Sequence, residues 1–330
     1  MSEAIGRGRR VSLFTILLLF AGIVFLMGSV FEFWSTRKQR AMTNAEERLH
    51  VITTVFPYYD MARAIAGSDA DVTLIVPPGT DPLHYTPSSD DLRRIRTTDL
   101  LIVSGLGMEP WLEDMTTADL PDPSNVLIAS DASLVVLMAN PVYPGLVPEG
   151  TEEAKDPYVW LDADNAIRVL HRIRDEFKQA EPELASVFHE RALEYEGKLR
   201  TIDSLYQSSF ENCRTRTFVQ GGPRRFGYLS RRYNLEYYAT TGLFDDETPS
   251  AEDLAGLGTL LNEKALSYVF YESLDSPRMA ESVARFNDAG ILTLHSGANV
   301  NTRDRNETVT YPDLLTSNLD ALARSMDCQR

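Results

Sequence analysis

The chain has 330 residues, 43% of them apolar and 24% charged, and a net charge of −16. Such a composition excludes a disordered chain and leaves room for about two domains with cores of their own. Residues 1–40 carry +4 and the remainder −20; so acidic a body repels phosphate backbones, which argues against nucleic acid as a partner.

In chain order, residues 1–10 form a short tail, and positive charges on both sides of the run that follows leave its orientation open. Val11–Phe31 (VSLFTILLLFAGIVFLMGSVF) is a 21-residue run without a charge, long enough to cross a bilayer as a helix. Phe33 and Trp34 followed by Arg37 and Lys38 complete an interfacial anchor. No small-residue cleavage site follows, nor any cysteine that could accept a lipid, so the run reads as an uncleaved transmembrane anchor over residues 11–34. Residues 35–48 are a polar tether.

A first α/β lobe is expected over residues 49–181. Val51–Phe56, Val72–Val76, Leu100–Ser104 and Val126–Ala129 predict strands; their short apolar runs lack period-two alternation and suit a parallel sheet covered on both faces. Tyr58–Ala66 and Pro87–Arg96 predict helices between them, and residues 138–157 form a Pro/Gly/Glu loop. After a helix over Asn165–Gln179, residues 182–210 predict one long helix of about 28 residues, ~42 Å. That is more than one small domain needs, and it reads as a backbone joining two lobes.

Residues 211–330 repeat the first lobe's grammar. Thr217–Gln220, Glu236–Thr240, Tyr268–Glu272 and Ile291–His295 predict strands. Phe226–Tyr233, Ser250–Glu263, Ser276–Asn287 and Tyr311–Ser325 predict helices. The two cysteines, Cys213 and Cys328, are either one bridge in an exported domain or two buried thiols. In open α/β sheets ligands sit beyond the carboxyl ends of strands, and His84, Tyr158, Gln220, Glu272 and His295 all fall at or near such positions. His50, His171 and His189 read as ordinary surface residues on the tether or on helix faces. Gly105-Leu-Gly107 is a turn into a helix, not a nucleotide loop. No Ser-His-Asp set, paired carboxylates or Gly-rich phosphate loop points to an enzyme.

In order along the chain, TTVFPYYDMARAIAG, LIVPPGTDPLHYTPSSDDL, DLLIVSGLGMEPWLEDM, DPYVWLDADNA, FGYLSRRYNL, TPSAEDLAGL with YVFYES, and TYPDLLTSNLDALARSM resemble the substrate-binding proteins of zinc and manganese ABC transporters. The resemblance covers about residues 48 to 327. It implies two α/β lobes, each with a mostly parallel sheet, joined by one long helix. It also implies a metal ion between the lobes, a position outside the cytoplasmic membrane with residues 1–10 as a cytoplasmic tail, and an ABC permease as partner. Carried onto this chain, the ligand positions are His84, Tyr158 and His295, with Glu272 as an added carboxylate. The ion would be zinc or manganese, with iron an option because a phenolate favours it.

The chain departs from the family pattern at several of these positions. His84 stands one place later than the family's histidine, and Tyr158 occupies a second histidine's place. QGGPRRFGY puts Pro223, Arg224 and Arg225 where a third ligand precedes the aromatic-Gly-Tyr helix start. Zinc prefers His, Cys and carboxylate donors, and two guanidiniums oppose a dication unless they turn away or pair with acids such as Asp245 or Asp246. The alternative function is therefore a binding or adhesin-like module whose metal site has decayed, or a receptor for an anionic or chelated ligand.

Overall fold

A computed structural model describes residues 48–116, 118–138, 155–242, 249–285 and 287–329. The apolar run at 11–31, the tether up to residue 47, and Asp245 and Asp246 lie outside them. Among the described residues, no helix is long and apolar enough to cross a membrane.

Two four-stranded sheets, all parallel, form the two lobes. The first contains β1 (Leu49–Thr53), β2 (Ala70–Leu74), β3 (Leu100–Val103) and β4 (Val126–Ile128), in the order β2-β1-β3-β4. The second contains β5 (Thr217–Pro223), β6 (Glu236–Thr241), β7 (Tyr268–Glu272) and β8 (Gly290–Leu294), in the matching order β6-β5-β7-β8. Every residue of β3 is buried, as expected of a strand covered on both faces. The expected strand Val51–Phe56 stops at Thr53, because Pro57 in the first turn sets the start of α1 (Phe56–Ala66).

Side-chain caps fix several helix starts. At α2 (Ser89–Arg96), the Ser88 hydroxyl accepts from the Asp91 amide while the Asp91 carboxylate accepts from the Ser88 amide. Thr310 and Asp313 do the same at α9 (Tyr311–Ser325). Asp162 caps α3 (Ala163–Ala180), accepting from the amides of Asp164 and Asn165. His50, expected on the tether, lies in β1.

The long helix opens with a 3-10 turn at Pro182–Leu184 and continues as α4 (Ala185–Ser209). Phe188, Ala192, Tyr195, Leu199, Ile202 and Tyr206 recur every three or four residues and form its buried stripe. The helix touches both lobes: the Tyr195 hydroxyl donates to Asp60 Oδ2 at 2.7 Å in α1, and the Tyr206 hydroxyl donates to the Leu315 carbonyl at 2.7 Å in α9.

Remaining helices are α5 (Gly227–Arg232), α6 (Ala251–Glu263), α7 (Arg278–Arg285) and α8 (Thr302–Asn306). Smaller cores lie around Ile52, Ile95 and Trp111 in the first lobe and around Val219, Leu257 and Val283 in the second. The main core is continuous from Leu49 to Met326 and passes through both lobes. Polar stitches cross the same boundary. Trp160 Nε1 donates to the Ser296 carbonyl at 2.7 Å, and Asn299 Nδ2 donates to the carbonyls of Pro77 and Thr80 at 2.7 and 2.8 Å. Cys213 and Cys328 form a disulfide that ties the end of the chain to the start of the second lobe.

Candidate functional site

With the strand order 2-1-3-4, the direction in which the chain adds strands to each parallel sheet reverses between the first and third strands, where the crevice of an open α/β sheet lies. In the first lobe Glu109 fills that crevice. Buried, it accepts from the Thr54 hydroxyl, from the Ser104 amide at 2.7 Å and from the Gly105 amide at 2.9 Å. Its donors are all local to the lobe, so its role is structural.

In the second lobe the crevice lies between the ends of β5 and β7. β7 ends on Glu272, which is fully buried and carries an unusually complete set of donors. Its Oε1 accepts from the hydroxyls of Ser273 and Ser296 and from the Ser296 amide, all at 3.0 Å. Its Oε2 accepts from the Leu274 amide at 2.6 Å and from Arg225 Nη1 at 3.3 Å.

Arg225 leaves the end of β5 and turns inward, with its side chain only 4% exposed. Nη2 lies 2.9 Å from Asp81 Oδ2 in the first lobe, and Nη1 lies 3.2 Å from Asp275 Oδ1 in the second. The guanidinium thus sits among three carboxylates contributed by both lobes. Burial alone would pull its pKa down, but Tyr158, Asp81, Glu272 and Asp275 together raise it, so it stays charged. Asp275 is pushed up to about 6, mainly by burial and further by Glu272 and Asp81, with Arg225 opposing.

Asp81 has two tasks. Its Oδ1 accepts from the Leu83 amide at 3.1 Å, capping the 3-10 turn Pro82–His84, while Oδ2 faces Arg225. His84 ends that turn with its side chain 53% exposed and Nδ1 4.0 Å from Asp81 Oδ2. It therefore stands at the rim beside the site.

Tyr158 is fully buried, edge-on to Trp160 with ring centroids 5.3 Å apart. Its amide donates to Asp156 Oδ1 at 2.9 Å, but its hydroxyl has no hydrogen-bond partner among the described residues. Burial holds the phenol well above its usual pKa; Arg225 opposes this, while Asp81, Glu272 and Asp156 add to it. His295 follows β8. Asn318 clamps its backbone, accepting from the His295 amide and donating to its carbonyl, each at 2.8 Å. Burial lowers the imidazole pKa against the pull of Glu272 and Asp304, so the ring is held toward its neutral form, which is the metal-binding one.

Of the four expected site residues, Tyr158, Glu272 and His295 share the electrostatic neighbourhood of the cleft and His84 lies at its edge. Among the described residues, no three His, Cys, Asp or Glu side chains are arranged as a metal-holding group. Sequence reasoning did not single out Asp81 or Asp275, although GTDP and ESLDSP both place an acid after a strand. Arg224 and Arg225, weighed as solvated or paired with Asp245 or Asp246, are both buried. Arg225 pairs with the cleft acids instead, and Arg224 lies over the Tyr237 ring at 4.9 Å.

Comparison with known proteins agrees with this architecture. The family model described as ZnuA, "Zinc-uptake complex component A periplasmic", matches residues 51–325. Zinc-binding protein AdcA of Streptococcus pyogenes serotype M6 is 26% identical over 312 residues, covering 91% of this chain and 60% of AdcA. The chain thus spans less than two thirds of that relative. The high-affinity zinc uptake system protein ZnuA of Bacillus subtilis is 26% identical over 294 residues, covering 85% of this chain and 88% of the relative. The crystal structure of the Zn(II)-bound ZnuA-like domain of Streptococcus pneumoniae AdcA superposes with a TM-score of 0.67 at 26% identity, covering 85% of this chain and 99% of that one. A match running through both lobes and the helix between them assigns this chain to the ZnuA family of periplasmic zinc-uptake components.

Proposed function

We propose that the chain is the extracytoplasmic substrate-binding component of a zinc-type ABC uptake system, which takes a divalent cation between its lobes and passes it to a membrane permease. The observation that carries this reading is the meeting of acids from opposite lobes, Asp81 from the first and Glu272 and Asp275 from the second. In this reading His84, beside Asp81, together with Tyr158 and His295 would be the further donors, and imidazole with carboxylate is a donor set that zinc accepts. Manganese would draw more on the oxygens. The run Val11–Phe31 would anchor the protein, and the Cys213–Cys328 disulfide suits an oxidising compartment outside the cytoplasm. The reading is of a carrier, not an enzyme.

The test is thermal unfolding with zinc, manganese or iron(II) added, beside elemental analysis of the protein as isolated. A cation at 100 times its Kd adds ~2.7 kcal/mol of stability, and the double substitution His84→Ala with His295→Ala should abolish the gain. The guanidinium among the acids favours a second reading, a family member whose cleft takes no free ion; absence of stabilisation by any cation would select it. An anionic ligand fits less well, because three carboxylates outnumber Arg225 there.

A further inference from the structure

We propose that Arg225 is the chain's own occupant of the cleft: its guanidinium supplies the positive charge around which Asp81, Glu272 and Asp275 gather, and a divalent cation binds only by displacing it. The inference rests on the proposed cargo and concerns how readily that cargo enters.

Its position supports this. Arg225 emerges at the reversal point of the second sheet, beside Glu272 at the end of β7, where the fold places ligands. Its terminal nitrogens bridge the lobes, Nη2 to Asp81 at 2.9 Å and Nη1 to Glu272 and Asp275 at 3.3 and 3.2 Å. A bound ion between lobes makes the same kind of link.

Charge supports it too. Ionised carboxylates without a counter-charge are very costly to bury, so the charged trio calls for a cation. One guanidinium answers three acids, leaving the cluster negative and still attractive to a dication. A dication and a guanidinium held by the same oxygens repel each other, so the two occupants are alternatives.

The fit of the guanidinium is also incomplete. The Tyr158 hydroxyl, Gln220 Nε2, Arg225 Nε and one oxygen of Asp275 are buried with no hydrogen-bond partner among the described residues. Buried polar groups in folded proteins are almost always paired. The unpaired phenol belongs to a fully buried side chain. Arg225 thus balances the charge without satisfying all the groups around it, as expected of an exchangeable occupant.

The test compares the full-length wild type in detergent with Arg225→Ala and Arg225→Lys. Zinc ion is titrated against a fluorescent chelator, and metal-free melting is measured in parallel. Arg225→Ala should bind zinc about a hundredfold more tightly than wild type, ~2.8 kcal/mol at 1.4 kcal/mol per decade. Arg225→Lys, which keeps the charge, should stay within about tenfold of wild type. Metal-free Arg225→Ala should melt below wild type, and zinc should raise it further than it raises wild type. Zinc binding by Arg225→Ala alone supports the proposal while removing the cargo reading for the natural chain. Equal affinity of wild type and Arg225→Ala overturns the proposal and leaves the cargo reading standing. Zinc binding by neither overturns both. If Arg225→Ala fails to fold without metal, recovery of a cooperative melt on refolding in zinc supports the proposal. Failure to refold in zinc, with Arg225→Lys folded, marks Arg225 as a structural residue only and overturns it.

Discussion

Arg225 of the second lobe and Asp81 of the first meet at 2.9 Å, both largely buried, at 4% and 12% side-chain exposure. The pair ties the 3-10 turn that carries His84 to the end of β5. Asp81→Asn should destabilise the protein by up to ~3 kcal/mol, the lower end of the cost of breaking a buried pair, because Glu272 and Asp275 remain to hold the guanidinium. Urea unfolding of the metal-free protein measures this; a loss below ~0.5 kcal/mol would make the contact incidental.

Tyr158 offers a contrast. Its hydroxyl is buried without a partner among the described residues, and an unmet buried donor costs roughly 1–3 kcal/mol. Tyr158→Phe should leave metal-free stability unchanged or raise it by about 1 kcal/mol, the ring packing on Trp160 being kept. If the hydroxyl serves the cargo, the same substitution lowers zinc affinity in the Arg225→Ala background.

Asp156 makes stability depend on pH. Burial pushes its carboxyl from the ordinary 3.8 up to about 7, against the pull of the Tyr158 amide and of Arg224 and Arg231. As pH rises past ~4 the unfolded chain loses this proton while the folded protein keeps it, so the contribution of Asp156 falls with pH and levels off above about 7. Asp156→Asn preserves an acceptor for the Tyr158 amide and removes the titration. The stability difference, variant minus wild type, should therefore grow between pH 4 and 7 in denaturant melts; a difference that does not vary with pH would refute the assignment.

The disulfide spans a sequence separation of 115 residues. Replacing both Cys213 and Cys328 by serine should cost roughly 2–5 kcal/mol, with the chain-entropy relation giving ~4.8 as the upper figure. Melting with and without reductant should show the loss in wild type and no change in the double variant.

Gly221 in β5 has no room for a methyl group. A Cβ there would meet the Ala280 nitrogen at 2.5 Å and its Cα at 2.6 Å, both backbone atoms of α7. Gly221→Ala should destabilise by about 3 kcal/mol or more, at the top of the usual overpacking range; soluble expression and a melting curve suffice to check it.

Much of this fold was legible because it is written locally. Tyr268–Glu272 and Tyr311–Ser325 coincide with the elements expected from them; the first is a short apolar run, and the second opens with Thr310, Pro312 and Asp313 as start signals. The bridge between Cys213 and Cys328 was one of two open outcomes, since pairing depends on where the last helix returns. The site was less legible. LTLH, DPYVW and GTDPLH mark loops at strand ends, but which way a side chain turns is a tertiary matter. Arg225 is an exposed residue by type, and only its contact with Asp81, Glu272 and Asp275 makes burial affordable. Asp81 and Asp275 were overlooked for a related reason: acids in turns are common, and nothing local distinguishes one that faces a crevice.

The continuous core from Leu49 to Met326 bears on what holds the two lobes together. Because one apolar mass underlies both lobes, the frame does not rely on a bound ligand to stay assembled. A change at a buried cleft residue such as Tyr158 therefore need not disturb the scaffold.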